Sequence, residues 1–417
     1  MKVLIISHNP ICNHNNMGKT LRSLFSEFGK EELCQLYFYP TLPDVDMCSS
    51  YYRITDIDIL KSYFFRLKNN SGEIENSDFS NYMSADVLRS VGYRTTSELK
   101  RIFRDVLWKC SFWYDKKLDN WIKKEKPTKI FLVAGDAKFI YDIAIKISKK
   151  FGIPIVSYIC DEYYFFEGEK KCLSRVRFGL LRKKIDTIAK YTEKFICISE
   201  SMSQLYHQYF KIKAVTIMTG TNILKDEPKV SANVQSITYL GNIRCGRNES
   251  LADIGRALDE INSNYDTKYK LKLYTAEQDN TFFKTFENIS SIECCGFATG
   301  EMYHSVLESS SVLVHVEAID NINKNLVKHS ISTKIPEILG SGIPMIAYGP
   351  LDVASIQHLY KNDCAVIVNS KDQLISGLNL LFNDYNTRIQ KANNGLLAAK
   401  IFHNAENNSK KLKEELK

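Results

Sequence analysis

Two rhythms of apolar and polar positions alternate along the chain. Short apolar runs such as Val3-Leu4-Ile5-Ile6 are separated by stretches in which apolar residues return every three or four positions. The runs suit buried strands and the intervening pattern suits amphipathic helices. In the first half, strands are predicted near Val3–His8, Cys34–Tyr39, Lys129–Gly135, Pro154–Ile159 and Lys194–Ser199. In the second half they fall near Ser236–Leu240, Lys270–Tyr274, Ser291–Cys295, Val312–Val316, Met345–Tyr348 and Ala365–Val368. Helix-length patterns such as Ile140–Lys150, Leu251–Ile261 and Lys371–Phe382 lie between them. Strand-helix alternation of this kind predicts an α/β chain with two Rossmann-like, doubly wound parallel sheets, each with ligand space at the carboxyl ends of its strands.

A break in periodicity over residues 211–234, ending in the polar run Lys225–Asn233, divides the chain. The predicted domains are residues 1–212, an N-terminal acceptor-binding unit, and 213–384, a C-terminal nucleotide-sugar-binding unit. Residues 385–417 form charged C-terminal helices expected to pack back on the first domain. Residues 42–90 are polar and aromatic by turns and read as an insertion over the ligand cleft.

Composition narrows the function classes. A length of 417 residues, 44% hydrophobic and 25% charged, suits two soluble globular domains. No apolar run reaches the roughly 18–20 residues that a membrane span needs. The chain enters its first strand after a single Lys, which predicts no signal peptide and a cytoplasmic location. The eleven cysteines are scattered without a C-x-x-C pair, so buried free thiols are expected rather than disulfides or a metal site. In the adjacent Cys294-Cys295, one thiol is expected on each face of a strand. The net charge of +8 is too dilute for a nucleic-acid binder and fits anionic small molecules or a membrane surface.

Five constellations could carry chemistry. After the first strand, Asn13-His14-Asn15-Asn16-Met17-Gly18-Lys19-Thr20 resembles a P-loop but has Asn13 where the first glycine should stand. It reads either as a loop in which Gly18 lets the backbone approach a ligand or as an ordinary strand-to-helix turn. The triplets Asp44-Val45-Asp46 and Asp56-Ile57-Asp58 have the spacing of a divalent-metal site, yet both lie in the irregular insertion and read as solvated surface acids. Asp161 follows the strand Pro154–Ile159, where a carboxylate could position or deprotonate a sugar hydroxyl or simply face solvent. In Gly241-Asn242-Ile243-Arg244-Cys245-Gly246-Arg247, a glycine and two arginines offer close backbone approach and forked donors for phosphate oxygens. The fifth is Ser332-Thr333-Lys334-Ile335-Pro336-Glu337, followed by Ile338-Leu339-Gly340-Ser341-Gly342-Ile343-Pro344. Here Ser332 and Thr333 can open a helix, Lys334 adds a cation, and Glu337 can accept two hydrogen bonds from a ribose diol.

Taken in order, Asn15–Thr20, Thr219–Asn222, Gly241–Arg247 and Ser332–Ala347 resemble the family 4 glycosyltransferases of the GT-B fold, two Rossmann-like domains facing a cleft. Gly135-Asp136 and Cys160–Tyr164 are similar to bacterial members that build surface polysaccharides. The resemblance implies a hexosyltransferase using a nucleotide sugar, a UDP-sugar favoured, with a glycan, lipid-linked or protein-linked acceptor. Transfer with retention and without metal or other cofactor is implied as well. Glu337 would bind the donor ribose, and Arg244 and Arg247 with Ser332, Thr333 and Lys334 the diphosphate. Asn242 belongs to the same donor loop, Phe297 would offer backbone contacts to the base, Gly18 would face the diphosphate, and Asp161 the acceptor. The family commonly carries a glutamate eight positions before Glu337, and His329 stands there instead. That departure keeps open a non-catalytic partner subunit, beside a nucleotide-sugar epimerase.

Residues 170–190 combine Lys170, Lys171, Arg175, Arg177, Arg182, Lys183, Lys184 and Lys190 with interleaved leucine, valine and isoleucine. Two readings stand: a helix lying on the anionic inner face of a plasma membrane, or one whose apolar side packs on the sheet while its charges face water.

Overall fold

The computed structural model describes all residues except 14, 44–46, 65–70, 75–97, 111–112 and 166–171. The triplet Asp44-Val45-Asp46 and Lys170-Lys171 therefore lie outside the described residues. The chain divides into two compact units, Met1–Ile217 with Glu406–Lys417, and Met218–Ala405. The helix Tyr385–Phe402 thus belongs to the second unit and most of the helix Ala405–Leu416 to the first.

Among its described residues the first unit holds eight strands: β1 (Val3–Ser7), β2 (Leu33–Tyr37), β3 (Ser50–Arg53), β4 (Gly72–Glu73), β5 (Lys129–Val133), β6 (Ile155–Ile159), β7 (Thr192–Cys197) and β8 (Ala214–Thr216). Their order in the sheet is β4-β3-β2-β1-β5-β6-β7-β8, all parallel except β3 with β4. β1, β2 and β6 are buried at every position, which explains their mainly apolar sequences; the polar exceptions Ser7, Gln35 and Ser157 are buried with them. The sheet reverses direction of growth between β1 and β5, with Val3 opposite Lys129 and Ile6 opposite Leu132.

Part of the stretch expected to be an insertion is instead integral to this sheet. Ser50–Arg53 pairs in parallel with β2, and Asp56–Phe64 forms a helix. Ser50, Tyr51, Tyr52 and Arg53 hid the strand because two of the four are polar, yet all are buried, with Ser50 Oγ accepting from Trp121 Nε1 at 2.9 Å. Asp56 and Asp58 are likewise not solvated acids. Asp58 is buried and accepts from Thr55 N at 2.8 Å, and Asp56 accepts from Arg104 Nε at 2.9 Å and Trp108 Nε1 at 2.6 Å. The last helix joins the first unit through buried Leu412 and Leu416 and through pairs of Glu415 with Lys194 and Lys413 with Glu32.

The second unit holds β9 (Ile237–Leu240), β10 (Leu271–Tyr274), β11 (Ile292–Cys294), β12 (Val312–Val316), β13 (Met345–Tyr348) and β14 (Val366–Val368), in the order β11-β10-β9-β12-β13-β14, all parallel. Growth reverses between β9 and β12. Two apolar layers, one per face, sandwich the sheet. Cys294 is exposed rather than buried, on β11, the edge strand of the sheet; the nine described cysteines are free thiols. No helix among the described residues is long and apolar enough to cross a membrane.

Candidate active site

In an open α/β sheet, ligands bind where strand growth reverses, because the loops leaving two adjacent strands diverge and leave a crevice at the carboxyl edge. In the first unit that crevice lies between the loops after β1 and β5, with the loop after β6 beside it. Asp136, just past β5, pairs with Arg101 at 2.8 Å and with Arg177 at 3.5 Å; Arg177 is fully buried and also donates to the Asp136 carbonyl at 3.3 Å. Asp161, past β6, is open to solvent and accepts from the Tyr163 hydroxyl at 3.3 Å. Crowding by protein and the like charge of Asp136 raise its carboxyl above the usual range, against the lowering effect of Tyr163. Its neighbour Glu162 is a structural acid, buried and accepting from Tyr164 N and Phe165 N at 2.7 and 2.8 Å.

The loop after β1 is built by Asn15, which caps the helix Asn16–Leu24 by accepting from Gly18 N at 2.7 Å. Gly18 is buried, and a Cβ there would collide with the Cys12 backbone, so the close approach that demands glycine is to Cys12 of its own loop. Lys19 points to solvent from the helix.

In the second unit the reversal between β9 and β12 brings the loop Gly241–Arg247 beside the loop that starts at Glu317. Gly246 makes the approach possible: it opens the helix Arg247–Tyr265 at φ 74°, and a Cβ there would meet Ala318, Asp320 and Asn323. Asn242 is exposed and its Oδ1 accepts from Arg244 N at 2.7 Å, fixing the turn. Arg244 forks onto Glu277, in the loop after β10, with Nη2 to Oε1 at 2.9 Å and a shorter Nε bond to Oε2. That hydrogen bond, more than burial opposes it, pulls the Glu277 carboxyl down to about 2. Arg247 forks onto Glu317, with Nε and Nη2 at 3.1 and 2.8 Å from Oε2. Burial disfavours the Glu317 carboxylate, but the Arg247 charge and His315 outweigh it and hold its carboxyl below the usual range. Among the described residues, neither arginine has a hydrogen-bond partner for its Nη1.

The segment Ser332–Glu337 starts at the same carboxyl edge. Ser332 Oγ accepts from Lys334 N at 3.4 Å, and the helix Ile335–Gly340 follows with Pro336 in its first turn. One oxygen of Glu337 receives Lys334 Nζ at 3.2 Å and the Tyr303 hydroxyl, and Lys334 lies 4.1 Å from the Tyr303 ring centre. Among the described residues Oε1 of Glu337 takes no hydrogen bond, so it can accept from a ligand diol. Thr333 is partly exposed in this turn, and Phe297 stands 60% exposed after Gly296, in the loop leaving β11. The eight candidate donor residues of this unit therefore sit on loops or in the first turns of helices at one edge of one sheet. His329 is partly buried, its imidazole pushed down by burial and by Lys328. Among the described residues no three His, Cys, Asp or Glu side chains form a group that could hold a metal.

No family model and no curated protein sequence matches the chain. Solved structures do. HepE from Anabaena in complex with UDP covers 100% of this chain and 99% of its own length at TM-score 0.64 and 10% identity. Sucrose-phosphate synthase from Thermosynechococcus elongatus covers 99% and 98% at TM-score 0.65 and 12% identity. The fold is GT-B. WaaG, a glycosyltransferase involved in lipopolysaccharide biosynthesis, covers 98% of this chain and 99% of its own at TM-score 0.58 and 10% identity. Within that GT-B frame, three residues that the sequence did not point to complete the second-unit edge: Glu277, Tyr303 and Glu317. Glu317 carried a readable signal, since a carboxylate directly after a buried strand is the same pattern that singled out Asp161. Glu277 and Tyr303 carried none, because their partners lie 33 and 34 positions away in the chain.

Proposed function

We propose that the chain is a glycosyltransferase that moves a hexose from a nucleoside-diphosphate donor, a UDP-sugar favoured, to an acceptor hydroxyl in cell-surface glycan synthesis. The observation that carries this reading is the single carboxyl edge on which the second unit gathers Arg244, Arg247, Lys334 and Glu337. Solved GT-B proteins in complex with UDP and UDP-glucose support the choice of donor. The Nη1 edges of Arg244 and Arg247 and the Lys334 ammonium would take the diphosphate, and the free oxygen of Glu337 the ribose. As the glycosidic bond breaks, negative charge grows on the diphosphate, and cations fixed before reaction stabilise it without having to reorganise. Because cations do this work, transfer without a metal follows as part of the proposal, with retention at the anomeric carbon. Asp161 would hold the acceptor hydroxyl; a carboxyl whose affinity for protons is raised is the better base for it.

The test is a thermal-shift screen of UDP, GDP, ADP, CMP and their sugars, with EDTA present. A ligand that binds only the folded protein raises its unfolding temperature by mass action. One nucleoside diphosphate should stabilise the protein, and Glu337→Ala should weaken that binding by roughly 1.5–3 kcal/mol, the scale of a hydrogen bond to a charged group. No shift with any ligand at millimolar concentration would sink the proposal and favour the non-catalytic subunit.

A further inference from the structure

Among the described residues, Glu317 is the side chain that hydrogen-bonds to Arg247. The carboxylate is 1% exposed, and it approaches the guanidinium along the Nε–Nη2 edge. One ring faces the carboxylate, and the backbone that carries it is fixed on two sides. His315 Nε2 lies 3.2 Å from Oε1, Ser250 Oγ donates to the Glu317 carbonyl at 2.8 Å, and Glu317 N donates to the Tyr348 carbonyl at 2.9 Å across the sheet. The Val316 carbonyl accepts from Arg247 Nε at 3.3 Å on the same edge. Arginine stems are flexible, and a guanidinium pays rotamer entropy for each fixed orientation. Here a buried, ionised carboxylate at the carboxyl end of β12 removes that freedom before any ligand arrives.

We infer that Glu317 is a positioning residue for the donor diphosphate: by occupying one edge of Arg247 it turns the Nη1 edge, and only that edge, toward the phosphates. The inference rests on the proposed function in that it takes Arg247 to meet the diphosphate. It adds that the arginine's orientation is set from beneath by Glu317, acting with His315 and Ser250. Arg244 shows the same device on Glu277, but there the pair is at the rim, with the arginine side chain 36% exposed against 17% for Arg247. The more buried pair is the one whose geometry cannot be replaced by water.

The experiment compares the affinities of UDP and UMP by calorimetry, because their ratio isolates what the second phosphate contributes. A merely structural glutamate would change both affinities together or neither. Glu317→Gln is expected to lower the UDP:UMP ratio about tenfold, and Arg247→Lys, which keeps the charge but cannot fork, to lower it as well. In an Arg247→Met background, Glu317→Gln should leave the ratio unchanged, since its effect runs through the arginine. The double variant buries no unpaired charge, whereas Glu317→Gln or Arg247→Met alone leaves one partner of the pair alone, so unfolding temperatures read beside the binding separate a folding defect from a lost orientation. A normal ratio in Glu317→Gln alongside a lowered one in Arg247→Lys would overturn the inference while leaving the donor site intact. A raised ratio would overturn it too, making Glu317 a competing counter-ion. A wild-type protein that binds UDP no better than UMP would instead sink the reading of Arg247 on which the inference rests.

Discussion

At the scale of single residues, the donor candidates divide by how they are held. Each cation that the sequence offers for the diphosphate already has a glutamate partner: Arg244 has Glu277, Arg247 has Glu317, and Lys334 has Glu337. A forked guanidinium can keep its carboxylate and still present a free edge, whereas Lys334 and Glu337 share one short contact that a ribose and a phosphate would have to divide between them. Buried histidines show the opposite tuning. His403 Nδ1 donates to the Thr219 carbonyl at 2.9 Å, so its Nε2 is the acceptor for His358 Nε2 at 3.0 Å, and both rings are neutral. Burial lowers His403 to about 4 and His358 to about 3. Unfolded, both would titrate near 6.5, so between that value and about 4 the unfolded chain binds protons that the native chain refuses. The stabilisation is complete above pH 6.5 and is lost as pH falls. Between pH 7 and 5 the wild type should lose on the order of 1–2 kcal/mol more than His403→Gln, read as a steeper fall in unfolding temperature.

At the scale of elements, glycines decide how closely loops and helices meet. Gly340 ends the helix Ile335–Gly340, and a Cβ on it would overlap the carbonyl oxygen of Ile223, while its own carbonyl accepts from Lys225 N at 2.9 Å. The segment leading in from the first unit therefore lies backbone to backbone against the helix that carries Glu337. Thr221 pairs with Asn404 on its other side, and Thr221 N donates to the His403 carbonyl at 2.7 Å. Gly340→Ala should destabilise the second unit by about 1–3 kcal/mol, the cost of overpacking a site where neither backbone can retreat, and a denaturant melt would measure it. Loss of less than a few tenths of a kcal/mol would mean the segment can shift away. The sequence named Gly340 only as a helix end; its reason is a neighbour more than a hundred positions earlier in the chain.

At the scale of the molecule, the basic helix Cys172–Ala189 packs one side on the core of its unit and leaves an apolar stripe open on another, where a membrane contact is a proposal to test. Leu181, Ile185 and Ile188 are buried in the first unit's core. Leu173, Val176 and Leu180 are exposed, at helical spacing, with Arg175 and Lys183 exposed beside them. Lys184 is tied to Asp142, and Arg182 Nε donates to the Tyr164 carbonyl at 2.7 Å, so the exposed apolar stripe is the better place to probe a membrane contact. Apolar side chains flanked by cations insert at an anionic lipid boundary, each cation adding about 1 kcal/mol. The protein should float with phosphatidylglycerol vesicles and not with phosphatidylcholine, and changing Leu173, Val176 and Leu180 together to Glu should abolish it. A wild type that stays at the bottom of the gradient in both cases would rule out a membrane contact through this helix.

The local pattern alone determined which stretches are buried strands, because a strand covered on both faces is apolar at most positions, as in β1, β6 and β12, where only Ser7, Ser157 and His315 depart from it. It also picked out Arg244, Arg247, Lys334 and Glu337, whose chemistry is legible in the residue types and whose loops follow recognisable strands. The short strands β3, β4 and β8 escaped it, since an edge position needs no apolar run and β3 is buried by tyrosine and polar partners. Tertiary structure alone decided who meets whom. The reversal of strand order between β9 and β12 sets Arg247 beside Glu317, seventy positions away. Strand order is settled by packing energy over the whole sheet, and no window of sequence contains it.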